Sequence, residues 1–254
     1  MAKCRICEQP LIIELDPDSF DEAAASSSVG AAITAPDDLL LPCGCHFHWQ
    51  CLLDESTQIA LSLTCPACDN SIVSTSPGPQ PHILARYHNE GGVQERLDVL
   101  PLITEEAYLE ANPAARPARA FMTMCAEGDV SGIVELLQNL EEEEEDEESM
   151  SPGEILRFQD PLDGMQTGLH VGILRAQQEV VWLLLWLASG LRTQAFPEEV
   201  SRAAQVMGAD RGTAGGVDIR GLRNEQGQTG EDLARTTGGV WVPLVDGGVL
   251  SSRV

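Results

Sequence analysis

The residues able to do chemistry in this chain crowd into its first 68 positions. Seven of its eight cysteines fall between Cys4 and Cys68. They read Cys4-x2-Cys7, then 35 residues, then Cys43-Gly44-Cys45-His46-Phe47-His48-Trp49-Gln50-Cys51, then 13 residues, then Cys65-Pro66-Ala67-Cys68. A C-x2-C pair on a tight turn aims two sulfurs at one ion, and a structural zinc takes four N or S ligands in a tetrahedron with no open position. Seven cysteines and one histidine supply two such sites. Two C-x2-C pairs around a C-x-C-x2-H-x2-C block form a specific pattern, where one pair alone is not. His46 is an alternative ligand to Cys45 or His48. With all eight ligand places filled by protein, no position is left for a reacting water, and a metalloenzyme is not expected.

The elements that must position this set are bounded by composition. A length of 254 residues fits one large domain or two small ones. The cysteine cluster marks residues 1–72 as one unit. Inside it, Asp16 to Asp38 is rich in Asp, Ala and Ser and reads as a flexible loop, and Ser74 to Pro81 reads as a linker. Residues 73–117 are expected to be a linker with a possible short helix, opening at Thr104, Glu105 and Glu106 and closing before Pro113. A helical pattern fills 118–254, with an acidic insertion at 141–151, where Glu141 to Glu148 are eight consecutive acids, and a second insertion at 190–222. The acidic run cannot pack and reads as solvated. The second insertion holds an expected helix at Pro197–Met207 and a Gly-rich stretch at Gly212–Gly216.

Charge and hydropathy exclude several classes. The net charge of −25 comes from 40 acidic and 15 basic residues, and such a surface repels phosphate backbones, so no nucleic-acid partner is expected. Lys3 and Arg5 precede Cys7, Glu8 and Pro10, so no secretory signal is expected. The longest apolar run, Val180 to Ala188, is nine residues, far short of the roughly 20 needed to span a bilayer, and reads as a buried helix. The chain is therefore expected in the cytoplasm or nucleus, with no membrane, where paired cysteines hold metal more often than they form disulfides.

The cysteine block resembles the RING finger family, through Leu41-Pro42-Cys43-Gly44-Cys45-His46-Phe47-His48-Trp49-Gln50-Cys51-Leu52 and Cys65-Pro66-Ala67-Cys68. The resemblance covers about the first 70 residues. It implies a small α+β domain whose ligands interleave. Cys4, Cys7, His48 and Cys51 would hold one zinc; Cys43, Cys45, Cys65 and Cys68 would hold the other; His46 would stay on the surface. It also implies a helix between Cys51 and Cys65, where Leu52, Ile59 and Leu63 recur at helical spacing and Asp54 and Glu55 suit the first turn. In RING ligases a groove beside that helix docks a ubiquitin-conjugating enzyme, and the matching positions here are Ile6 and Pro66. Two positions depart from the family: Glu55 stands where the helix often carries Trp, and Asp69 stands where a basic residue often follows the last cysteine.

The second half resembles ankyrin repeats. Gln166-Thr167-Gly168-Leu169-His170-Val171-Gly172, with Val180-Val181 and Leu183-Leu184-Leu185 behind it, is similar to the family's T-P-L-H-x-A unit, with Gly168 and Gly172 in place of Pro and Ala. Asn224 to Ala234 is a second match, and Met124 to Asp129 with Ile133, Leu136 and Leu137 a third. Thr167 to Thr229 spans 62 residues, so the 190–222 insertion must absorb the excess over a period of about 33. Pro243 argues against a regular last helix. His170 is expected to make a structural hydrogen bond, Cys125 to be a small core residue, and Asp160 and Asp163 to be turn residues.

The expected fold is a small zinc-stabilised RING-like α+β domain followed by a mainly α-helical ankyrin-like repeat domain. The function the two resemblances imply is a zinc-binding RING-type ubiquitin-protein ligase. Its partners would be a ubiquitin-conjugating enzyme, ubiquitin, and an unknown protein substrate held by the repeats. The alternative is a non-catalytic zinc-binding scaffold for protein–protein interaction. No Ser-His-Asp order, phosphate-cradling glycine loop or H-E-x-x-H motif is present.

Overall fold

The structure is a computed structural model that describes residues 2–14, 34–74, 80–142, 150–211, 216 and 218–252. Most of the Asp16–Asp38 loop, the middle of the Ser74–Pro81 linker, most of the acidic run and most of Gly212–Gly216 lie outside the described residues. The chain divides into two compact units, Met1–Ala111 and Asn112–Val254.

Among the described residues, unit 1 is built from short strands and three helices. β1 (Ile12–Glu14) pairs antiparallel with β2 (Thr34–Pro36). Then β3 (Asp38–Leu40), β4 (His46–Phe47), β5 (Leu84–Asn89) and β6 (Gly92–Asp98) form one antiparallel sheet in the order β4-β3-β5-β6. α1 (Trp49–Leu53) and α2 (Ser56–Ser62) follow β4, and α3 (Leu100–Ala111) follows β6 and packs on α2. Leu39 lies opposite Phe47 on one side and Tyr87 on the other, and with Leu41, Leu52, Ile59, Ile72, Ile83 and Ile103 it forms a core that also includes Cys4, Cys45 and Cys65.

Three sequence expectations change here. Residues 84–98, inside the expected 73–117 linker, are a β-hairpin of unit 1, while the short helix expected there is the 12-residue α3, which opens at Leu100 rather than Thr104 and closes before Pro113. The signal was present: Asn89-Glu90-Gly91-Gly92 is a turn between two strand-length runs, and Asn89 Oδ1 accepts the Gly91 N–H at 2.9 Å. Thr34–Pro36, inside the expected loop, is a strand. The single helix between Cys51 and Cys65 is two short ones. Asp54 caps the end of α1 and Glu55 precedes α2, so neither lies in a helical first turn.

Unit 2 is mainly helical: α4 (Arg116–Glu127), α5 (Val130–Glu142), α6 (Pro152–Leu156), α7 (Gly168–Leu174), α8 (Gln178–Ala188), α9 (Glu198–Val206), α10 (Gly230–Thr237) and α11 (Val242–Asp246). α4, α7 and α10 stack in that order, α5 packs on α8, and α9 packs on α8. The apolar run at Val180–Ala188 is the buried α8, and no helix among the described residues is long and apolar enough to cross a membrane. Pro243 does not prevent the last helix. It lies in the first turn of the five-residue α11, where its missing N–H has no intrahelical partner to lose.

Thr167 and Thr229 open α7 and α10 in the same way. Each hydroxyl accepts the backbone N–H three residues on, from His170 and Asp232, whose side chains bond back to the threonine. Gly168 sits where α4 crosses α7. A Cβ there would lie 2.7 Å from Phe121 Cε1 and 2.9 Å from Cys125 Sγ, both on a buried face. The glycine is thus a packing requirement of the stack. Gly168→Ala is expected to destabilise unit 2 by about 1–3 kcal/mol, because the clash outweighs alanine's better helix propensity; urea unfolding of the variant against the parent chain measures it.

Candidate metal centre

The two C-x2-C pairs fold into the same knuckle. Cys4 N–H donates to Gln9 O at 3.0 Å and Glu8 N–H to Cys4 O at 3.1 Å. At the other pair, Cys65 N–H donates to Asn70 O at 2.9 Å and Asp69 N–H to Cys65 O at 2.9 Å. Matching bridges, Lys3 with Pro10 and Thr64 with Ser71, close both turns. The residue after each second cysteine turns into the left-handed region, Glu8 at φ 61° and Asp69 at φ 57°. Asp69 thus occupies a place set by backbone geometry, and its carboxylate is exposed. The Cys43/Cys45 pair is set on a different turn: Gly44, at φ +85°, donates to Leu41 O at 2.9 Å, and Leu41 N–H donates to Cys45 O at 3.0 Å.

The ligand atoms gather as two sets, Cys4/Cys7/His48/Cys51 and Cys43/Cys45/Cys65/Cys68, within which all lie inside 4.8 Å of one another. Four sulfurs at about 2.3 Å from one ion would sit roughly 3.8 Å apart, so both sets match a tetrahedral metal centre. Along the chain the pairs alternate, first set, second set, first set, second set. His46 joins neither; its Nδ1 bonds Asp38 Oδ1 at 2.6 Å.

His48 has the tautomer a metal ligand needs. Its Nε2 lies 2.8 Å from Pro10 O. A carbonyl only accepts, so Nε2 carries the proton. Nδ1 is left with its lone pair, and it faces Cys7 Sγ at 3.2 Å and Cys51 Sγ at 3.7 Å. A backbone carbonyl holding the distal ring N–H is the usual support of a metal-bound histidine. The spacing of cysteines gives no hint of Pro10; only the knuckle brings it there.

The thiols are electrostatically uneven. Burial raises Cys4, but the N–H groups of Cys7, His48 and Ile6 outweigh it and bring the thiol down to about 6. Burial and the neighbouring sulfurs of Cys7 and Cys4 push Cys51 up to about 12. In the second set burial raises Cys43, Cys45 and Cys65, whereas the Asn70 N–H lowers Cys68. Sulfurs this close repel as anions, and a divalent cation among them offsets that repulsion. The residues therefore fit one metal ion per set.

Asp37 supports the centre and was not singled out from the sequence. It is buried, accepts the Trp49 N–H at 3.1 Å, and so serves the start of α1, which His48 does not cap with its side chain. Its Oδ1 also accepts the Tyr87 hydroxyl at 3.1 Å. Burial and this carboxylate push Tyr87 up to about 12. Of the two sequence-assigned docking positions, Ile6 is 39% exposed and Pro66 is half-buried.

In unit 2, Asp160 is buried and ion-paired with Arg119; its backbone also closes the turn to Gln166. It is a turn residue with a second role in joining that turn to α4. Cys125 is fully buried, and burial raises its thiol, as expected of a core residue. No family model matches this chain, and no curated protein or solved structure matches it.

Proposed function

We propose that this chain is a RING-type ubiquitin-protein ligase. Unit 1, with a zinc ion in each ligand set, docks a ubiquitin-charged conjugating enzyme, and unit 2, an ankyrin-like array, binds the target protein. The alternation of ligand pairs between two centres carries the reading. The exposed Ile6 on the first knuckle supports it. The paired helices of unit 2, with Thr167 and Thr229 as equivalent caps, support the repeat reading. In such a ligase no side chain of this chain makes or breaks a bond. It holds the thioester in a productive pose for a substrate lysine, and catalysis is positioning. The acidic surface suits a basic face on the conjugating enzyme and speeds encounter.

Asp69 favours the second reading, a scaffold without ligase activity. An exposed carboxylate cannot donate the hydrogen bonds that a basic residue gives at that place in the family. The two readings separate in a discharge assay using the zinc-loaded full chain and a panel of ubiquitin-charged conjugating enzymes. Free lysine is the proper acceptor, because Lys3 is the only lysine among the 254 residues and self-modification under-reports activity. Ile6→Ala is expected to slow discharge about tenfold, a loss of roughly 1.4 kcal/mol in docking, with both zinc ions retained; Asp69→Arg is expected to speed it. If neither the parent chain nor Asp69→Arg discharges any enzyme, the scaffold reading stands.

A further inference from the structure

α9 belongs to the insertion between the α7/α8 and α10/α11 helix pairs, and it does not close fully on the helices beside it. Between α5, α8 and α9 lies a cleft of 440 Å³ lined largely by apolar side chains, among them Trp182, Val200, Ala203 and Met207. A second hollow of 420 Å³ adjoins it and shares Glu179 and Trp182. The two hollows together form a trough: the first lies on the second-helix side of the stack, where α5 and α8 pack, and the second is walled by Gly128, Gln177 and Gln178 at the start of α8. Trp182 is half-buried and Ala203 exposed. A pair of carboxylates, Glu179 in the first turn of α8 and Glu199 in the first turn of α9, borders the cleft; both are exposed. Neither makes an ion pair among the described residues, whereas the neighbouring Glu198 is taken by Arg202 at 2.6 Å.

We propose that this trough docks a basic amphipathic helix of a partner protein. Its apolar side chains would enter between α8 and α9, and its Lys or Arg residues would meet Glu179 and Glu199. The volume is right for two or three such side chains in the helix-in-groove manner. The sign of the partner follows from the two unpaired carboxylates on the rim and from the −25 net charge of the whole chain. The proposal does not depend on the ligase reading and concerns unit 2 alone, whereas the candidate metal centres belong to unit 1.

The test uses the zinc-loaded full chain and a synthetic helical peptide with Leu along one face and Lys on the other. Two control peptides have the Leu replaced by Ser or the Lys replaced by Glu. Binding is followed by calorimetry. Ala203→Trp fills the trough from an exposed position without changing charge, and melting curves establish that it folds. The Leu/Lys peptide is expected to bind the parent chain, to lose about tenfold in affinity with Ala203→Trp, and to weaken with salt less steeply in a Glu179→Gln/Glu199→Gln chain. Equal binding of the Lys/Ser peptide, or binding untouched by Ala203→Trp, would mean attraction to net charge alone and overturn the proposal. Self-association in sedimentation that Ala203→Trp abolishes would overturn it too, by assigning the trough to a second copy of the chain.

Discussion

Removing metal from unit 1 is expected to unfold Met1–Ala111 while the helices of unit 2 persist. Cys4, Cys45 and Cys65 are core residues here, packed with Leu39, Phe47, Ile59 and Ile72. Without a cation the thiols must either stay protonated in a crowded, partly buried cluster or repel as anions. The strands beside them are two or three residues long apart from the β5/β6 hairpin, too short to hold the knuckles closed. For so small a domain, metal binding is folding energy, about 10–16 kcal/mol for structural zinc at neutral pH. Native mass spectrometry should count two zinc ions per chain. Cys65→Ser should lower that count, and a chelator should abolish the sheet signal in circular dichroism while leaving the helical signal of unit 2. A chain that keeps its full spectrum in the presence of chelator would remove the metal from the account, and the ligase proposal with it.

His170 carries the second large effect. It is fully buried. Its Nε2 lies 2.9 Å from Gln228 O, so Nε2 bears the proton, and Nδ1 takes the Thr167 hydroxyl at 2.7 Å. One ring thus ties the start of α7 to the loop before α10. His170→Leu fills similar space but leaves the Gln228 carbonyl and the Thr167 cap without a partner, at about 2–4 kcal/mol. Burial lowers His170 below its ordinary value near 6.5. In the unfolded chain the ring titrates near that value, so below it the unfolded state binds more protons than the folded one. The stabilisation is therefore complete above about 6.5 and shrinks as pH falls through that value. Denaturant unfolding of unit 2 at pH 7.5 and pH 5.5 should show the parent chain losing stability on acidification and His170→Leu losing less. A variant as stable as the parent at pH 7.5 would contradict this account of the ring.

The sequence by itself determined the candidate metal ligands and some of the local turns and caps. That Cys4, Cys7, Cys65 and Cys68 are candidate ligands was written in the C-x2-C spacing, because a four-residue knuckle is a local structure that needs nothing distant to form. The Thr167 and Thr229 caps are local in the same way, since a hydroxyl reaches the N–H three residues on whatever lies around it, although the motif match marked those threonines without reading them as caps. The burial of α8 was legible in its unbroken apolar run. The hairpin at 84–98 could have been found from its Asn89–Gly92 turn, but short half-exposed strands carry little periodicity.

Only the tertiary structure decided what depends on residues far apart in the chain. The division of eight candidate ligands into two sets requires residues 20 to 47 positions apart to meet; the family resemblance implied this division, but the spacing alone was compatible with other pairings. The choice of His48 over His46 rests on the Pro10 carbonyl and on Asp38, which turns His46 away. The role of Gly168 is fixed by Phe121, on another helix. The trough beside α9 exists because an inserted helix packs against α8 without closing on α5. Local sequence encodes turns, caps and ligand pairs, since their energies act over a few residues; packing partners and clefts are set by burial, which acts across the whole chain.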